Sequence, residues 1–184
     1  MKIKTTHIKD LIIIEPEIYK DKRGHFLENY NFGRYEEIIP NLQFVQDNFS
    51  KSSKGVIRGL HFQRKFTQGK LVQVTLGSVF DVAVDIRKDS KTFGDWFGLV
   101  LDDKTAKQFW IPPGFAHGFQ VLSEIAHFQY KCTDYYHPEY EETLLWNDPS
   151  LKINWHATEE TVSSKDQKGL PISEIDPLET SFDS

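Results

Sequence analysis

The sequence predicts an all-β domain, a sandwich or closed barrel carrying a few short helices. Three observations point there: about ten short runs rich in β-branched and aromatic residues, their spacing of roughly 8–12 residues, and the Gly, Asp, Asn or Ser between them. The runs are 10–15, 26–30, 44–49, 56–62, 70–76, 79–86, 96–101, 107–111, 118–122 and 126–132. Gly77-Ser78, between two of them, reads as a hairpin turn. Asn31 suits the cap of a helix reaching Ile39, which Pro40 would terminate, and a second short helix is expected near 158–161. Beyond Ser163 the chain is polar, with Pro171 and Pro177, and is expected to wrap the barrel surface. In the run 79–86 a period of two puts Phe80, Val82, Val84 and Ile86 on one face and Asp81, Ala83 and Asp85 on the other. That second face is either a solvated exterior or a polar barrel lumen.

A length of 184 residues without repeats or low-complexity tracts suits a single domain over 1–184. Such a chain buries roughly 70% of its unfolded surface and needs neither disulfide nor metal to fold. Cys132 is the only cysteine, so no internal disulfide forms, which favours a reducing, cytoplasmic setting. The N-terminal stretch offers only the apolar run Leu11 to Ile14, too short for a signal peptide or a membrane span. With a net charge of −5 and 22 Lys and Arg scattered along it, the chain lacks the basic stripe that nucleic acid requires. An anionic ligand must therefore be gripped by local cations. The 14 Phe, 7 Tyr and 4 Trp suit strands and stacking platforms equally.

Among seven histidines, His61 and His117 stand apart. His61 lies in Arg58-Gly-Leu-His-Phe-Gln63, where Gly59 permits close approach of backbone or ligand. His117 follows Pro112, Pro113 and Gly114 in an arrangement that resembles the second motif of cupins, small jelly-roll barrels. The first cupin motif would supply a His-x-His pair, whereas this chain reads His61-Phe62-Gln63, so a metal site would lack a strong ligand.

Seven segments in order resemble the dTDP-4-dehydrorhamnose 3,5-epimerase family. They are Asp21-Lys-Arg-Gly-His-Phe-Leu-Glu28, Phe44-Val-Gln-Asp-Asn-Phe-Ser50, Val56-Ile-Arg-Gly-Leu-His-Phe-Gln63, Phe80-Asp-Val-Ala-Val-Asp-Ile-Arg87, Trp110-Ile-Pro-Pro-Gly-Phe-Ala-His-Gly-Phe119, the stretch from Tyr130 to Glu141, and Leu145-Trp-Asn-Asp-Pro149. The resemblance implies a cupin-like double-stranded β-helix, or jelly-roll barrel, that works without cofactor or metal, as a homodimer. Its substrate would be a dTDP-linked 4-keto-6-deoxy sugar, inverted at carbons 3 and 5 beside the carbon-4 ketone. Such a reaction needs a base, a stabiliser for the enolate oxygen and an acid on the opposite face.

By the same resemblance His61 is the base, Tyr130 the acid, Lys70 the cation near the enolate oxygen, and Asp166 the partner that orients His61. Asp81 or Asp85 stays open as an alternative orienting group. An imidazole with an ordinary pKa of about 6.5 accepts a proton at neutral pH, and a phenol near 10 retains one. Arg23, Arg58 and Lys165 would grip the pyrophosphate, while Glu28, Gln46 and Asn48 would read thymine and sugar by hydrogen bonds. His117 and Glu141 would contact substrate, and Tyr136 would stack on thymine. Three alternatives remain: an enzyme inverting one carbon only, a metal-dependent cupin enzyme, and a non-catalytic nucleotide-sugar-binding barrel.

Overall fold

The alternation of apolar residues along the strands builds two sheets that face each other. The computed structural model describes residues 1–156 and 160–179. Within them the strands are β1 (Lys2–Thr5), β2 (Ile12–Glu15), β3 (Tyr19–Asp21), β4 (Gly24–Phe26), β5 (Gln46–Ser53), β6 (Val56–Gln63), β7 (Lys70–Leu76), β8 (Ser78–Asp85), β9 (Trp96–Asp102), β10 (Gln108–Ile111), β11 (Phe115–Val121), β12 (Ile125–Cys132), β13 (Glu141–Thr143) and β14 (Thr161–Val162). One sheet runs β1-β2-β10-β7-β12-β5, the other β13-β6-β11-β8-β9 with β14 added in parallel to β6, and β3-β4 form a separate ribbon. This is the expected all-β jelly roll.

The inner faces meet in one core. Val72, Val74, Phe109 and Phe128 come from the first sheet and Val79, Ala83, Phe115, Phe119 and Val121 from the second, with the Phe119 and Phe128 rings stacked at 4.1 Å. The outer faces are covered as well. Leu60, Val82, Val84 and Ile86 lie under Leu144, Leu151, Ile175 and Leu178, while Leu71 and Trp110 lie under Tyr35, Ile39 and Leu42. Segment 160–179 thus lies along the second sheet, held by parallel bridges Leu144↔Leu170 and Arg87↔Leu178. Asp148 accepts a hydrogen bond from Ile172 N at 2.6 Å and fixes the same segment.

Several expectations are corrected. Gly77-Ser78 is no hairpin turn, because β7 pairs with β10 and β12 whereas β8 pairs with β9 and β11, so the chain there crosses between sheets. Of the two readings left open for the acidic face of β8, the buried one holds: Asp81 and Asp85 are fully buried, the first toward the lumen and the second satisfied by Arg87, Ser90 and Thr92. The run 26–30 is strand only through Phe26; Asn29 instead presents its carbonyl to the buried Gln108 Nε2 at 2.7 Å. Helix α1 (Phe32–Glu36) begins at the Asn31 cap but stops a turn short of Ile39. Of the second expected helix, 158 and 159 lie outside the described residues, and Thr161 opens β14.

Gly77 turns the corner with φ +80°, and a Cβ there would lie 2.2 Å from Ile125 O. Gly77→Ala is expected to cost about 1–3 kcal/mol of stability, read as a lowered urea midpoint with an unchanged slope.

Candidate active site

The site is set by an irregularity in β6. Against β11, His61 is opposite His117 but Arg58 is opposite Phe119, so Gly59 and Leu60 together face only Gly118. A bulge of this kind adds one residue to the alternation. Arg58 and His61, three apart, would otherwise point to opposite faces; with the bulge both belong to the lumen, and Leu60 enters the outer core. Only glycines fit the crossing. Gly59 has φ +118°, a Cβ on it would lie 2.6 Å from Gly118 Cα, and one on Gly118 would lie 2.5 Å from Arg58 O.

His61 Nε2 lies 2.7 Å from Asp166 Oδ1. Asp166 comes from a short 3-10 turn, Asp166–Lys168, in the C-terminal segment. Its second oxygen accepts from Gly59 N at 3.3 Å, and its own N donates to Ser163 Oγ at 3.1 Å. Burial favours the neutral carboxyl, but hydrogen bonds from His61 and Gly59 outweigh it and hold Asp166 below the usual carboxylate range. The open choice of orienting group is thereby narrowed: Asp166, not Asp81 or Asp85, meets His61. Asp81 pairs with His117, whose Nε2 lies 3.0 and 3.1 Å from its two oxygens. Burial pulls the His117 pKa down, with Asp81 opposing that pull.

The opposite wall comes from the first sheet. Lys70 opens β7 across from Cys132, and Tyr130 lies on β12 across from Asn48 and Val72. Lys70 is only 9% exposed and has no ion pair or hydrogen bond among the described residues. Burial therefore lowers its pKa below the ordinary lysine value. Tyr130 is pushed up to about 12, chiefly by burial, and its hydroxyl makes no hydrogen bond to another described residue. The pocket thus sets an imidazole–carboxylate pair on one wall against a protonated phenol and a lone ammonium on the other, an arrangement able to move a proton across a carbon beside a carbonyl.

Glu141 closes one side. Its Oε1 is 4.0 Å from His61 Nδ1, and its Oε2 accepts from Tyr136 Oη at 2.8 Å and from Lys165 Nζ. Gln46 donates to Asn48 Oδ1 at 3.0 Å and accepts from Tyr136 N at 2.9 Å. Arg58 Nε reaches across to Ser52 Oγ on β5 at 3.0 Å. Arg23 and Glu28 are not brought to this cluster. Arg23 is bound to Asp21 on the β3–β4 ribbon, and Glu28 to Arg34 at 3.1 Å. Sequence reasoning did not find Ser52 or Ser163, whose roles depend on contacts between distant segments. Among the described residues no group of three or more His, Cys, Asp or Glu is placed to hold a metal ion.

The family model for dTDP-4-dehydrorhamnose 3,5-epimerase matches residues 5–174. The chain is 50% identical over 178 residues to the Pseudomonas aeruginosa protein of that name, covering 96% of this chain and 98% of the relative. It resembles the solved Legionella pneumophila 3,5-epimerase in complex with dTDP-4-keto-L-rhamnose, with 52% identity, a TM-score of 0.94, and 97% and 98% of the two chains covered. A 3'-monoepimerase from Streptomyces bikiniensis, solved with dTDP-quinovose, shares the fold at 27% identity with a TM-score of 0.87, over 91% and 86% of the chains.

An ammonium left unpaired in a dry pocket is a stability cost. Lys70→Met is expected to raise stability by about 1–2 kcal/mol at pH 7, read as a higher urea midpoint. Between the lowered folded pKa and the ordinary 10.5, the unfolded chain binds more protons at residue 70, so stability rises with pH across that window. The rise should vanish in Lys70→Met, as chemical denaturation over a pH series would show. Taken together, the matched span, the identities and the shared fold place this chain in the dTDP-4-dehydrorhamnose 3,5-epimerase family.

Proposed function

We propose that the protein is an isomerase that inverts carbons 3 and 5 of dTDP-4-dehydro-6-deoxy-D-glucose, giving dTDP-4-dehydro-L-rhamnose. The observation that carries this is the opposition of the His61–Asp166 pair, at 2.7 Å, to Tyr130 and Lys70 on the facing sheet. It occurs in a chain 52% identical to an epimerase solved with dTDP-4-keto-L-rhamnose.

His61 accepts the proton from carbon 3 or 5, and Asp166 holds the ring and stabilises the imidazolium that forms. The C–H electron pair moves into an enolate whose negative oxygen, at carbon 4, faces the Lys70 ammonium. Tyr130 then donates its proton from the opposite face. The phenolate left behind is disfavoured by a pKa of about 12, which drives its reprotonation from solvent, while His61 gives the proton it took to solvent and is again neutral. Repetition at the second carbon completes the reaction. Arg58 and Lys165 take the pyrophosphate, Gln46, Asn48, Glu141 and His117 make polar contacts with nucleoside and sugar, and Tyr136 stacks on thymine.

Arg23 and Glu28 fit this scheme through a homodimer. They sit on and beside the β3–β4 ribbon, which exposes Tyr19 and Phe26 and pairs with neither main sheet in its own chain. Packing of that ribbon beside the pocket of a second copy would supply both residues to the ligand. A solution mass of one chain, by light scattering, would overturn the dimer. The setting proposed is the cytoplasm, and no described helix is long and apolar enough to cross a membrane.

Inversion at a single carbon is the second reading, favoured by the fold shared with the 3'-monoepimerase. NMR of the substrate with enzyme in deuterated water separates the two. Deuterium should enter at carbons 3 and 5; entry at one position selects the narrower activity, and entry at neither removes the epimerase reading. In Tyr130→Phe, exchange at carbon should persist while inverted product falls by about 100-fold or more, the usual range for loss of a general acid.

A further inference from the structure

Gln63 stands two residues after His61, where a metal-binding cupin would place its second histidine. It is 4% exposed, and its side-chain amide makes three hydrogen bonds. Nε2 donates to Phe66 O at 2.7 Å and to Tyr135 O at 3.1 Å, while Oε1 accepts from His137 N at 2.7 Å. Both donors and the acceptor are therefore in use. The three partners belong to two irregular loops, joined at their ends by Arg64 N to Tyr140 O at 2.8 Å and Thr133 N to Gly69 O at 3.0 Å, with no ladder between their middles. One is the connection from β6 to β7 that leads to Lys70; the other is the turn after β12 that carries Tyr136.

Tyr136 lies between the two turn residues that Gln63 holds. Its own N donates to Gln46 and its hydroxyl to Glu141. The Phe66 ring stacks on His137 at 4.3 Å, and Gln68 Nε2 donates to Asp134 O at 2.9 Å, so the loops support each other around the Gln63 amide. The Tyr136 ring is nonetheless about half exposed. An exposed aromatic serves as a binding platform only when its backbone is fixed beforehand, because otherwise the ligand must bear the cost of ordering it.

We infer that Gln63 is a positioning residue for nucleotide binding: its amide locks the 134–137 turn so that Tyr136 meets the nucleobase in a preformed orientation. The position that would carry a metal ligand in a metal cupin is used here to tie the nucleobase platform to the strand that carries the base. This inference rests on the nucleotide-sugar reading proposed above and deepens it.

The test uses two variants of the full chain. Gln63→Leu removes all three bonds, and Gln63→Glu keeps the acceptor while turning a carboxylate toward two carbonyls. In either, the Kd for dTDP by calorimetry and the KM for substrate should rise about tenfold, with kcat reduced less than about threefold. If Gln63 acts through Tyr136, then in a Tyr136→Ala background Gln63→Leu should weaken dTDP binding no further. Unchanged dTDP affinity in a folded Gln63 variant would overturn the proposal. So would an equal further loss in the Tyr136→Ala background, or a loss confined to kcat. The unsubstituted protein is the reference for each readout. Absence of dTDP binding there overturns the nucleotide-sugar reading and this inference with it, whereas unchanged Gln63 variants of a binding-competent protein overturn the inference alone.

Discussion

The crossing of Gly59 and Gly118 is the constraint on which the site depends. Two strands come so close there that neither residue can carry a Cβ, and the extra residue opposite Gly118 shifts the alternation of β6 by one. Without that shift a strand could not send Arg58 and His61 into one lumen while sending Leu60 into the outer core. The bulge also turns Gly59 N toward Asp166, so the irregularity that aims the imidazole helps to hold the carboxylate that orients it. A local departure from sheet geometry thus fixes guanidinium, imidazole and carboxylate together, in keeping with the concentration of bulges at functional sites.

Two kinds of polar burial share the barrel. Asp81, at the lumen, is hydrogen-bonded to His117, and Asp85 is ion-paired with Arg87, so each buried carboxylate has a partner. Lys70 is different, since its ammonium is buried and has no ion pair or hydrogen bond among the described residues. The fold tolerates it because both outer faces of the sheets are sealed by α1 with its following turn and by the C-terminal segment, which add apolar burial that a bare sandwich would lack.

Much of the fold was legible in the sequence. The run 70–76 coincides with β7, the Asn31 cap is in place, and 126–132 falls within β12. What could not be read was decided by pairing between distant segments. Gly77 has the residue type and position of a hairpin turn, and only the partners of β7 and β8 reveal that it joins two sheets. The alternation in β8 correctly divided its faces, but period alone cannot say that the C-terminal segment covers one of them. Of the site, the motif around His61 singled out that residue, whereas Lys70 and Tyr130 were legible only through the family resemblance. That Asp166 rather than Asp81 meets His61 depends on where a polar tail folds back across more than a hundred residues. Ser52 and Ser163 carry no local signal, since an isolated serine becomes informative only beside its partner.

The order in which the chain is made has a consequence for the pocket. Strands β5 to β12 hold His61, Lys70, His117 and Tyr130, so these four side chains are all in the chain once residue 132 has been added. Asp166 arrives later, on a segment tied to the second sheet by β14 alongside β6, by two isolated bridges and by the buried Ile175 and Leu178. A chain lacking that segment would expose the outer core that Ile175 and Leu178 cover and leave the imidazole without the carboxylate that fixes its tautomer. The same segment seals the outer core and supplies the carboxylate that orients the imidazole, so closing the fold and completing the site are one event.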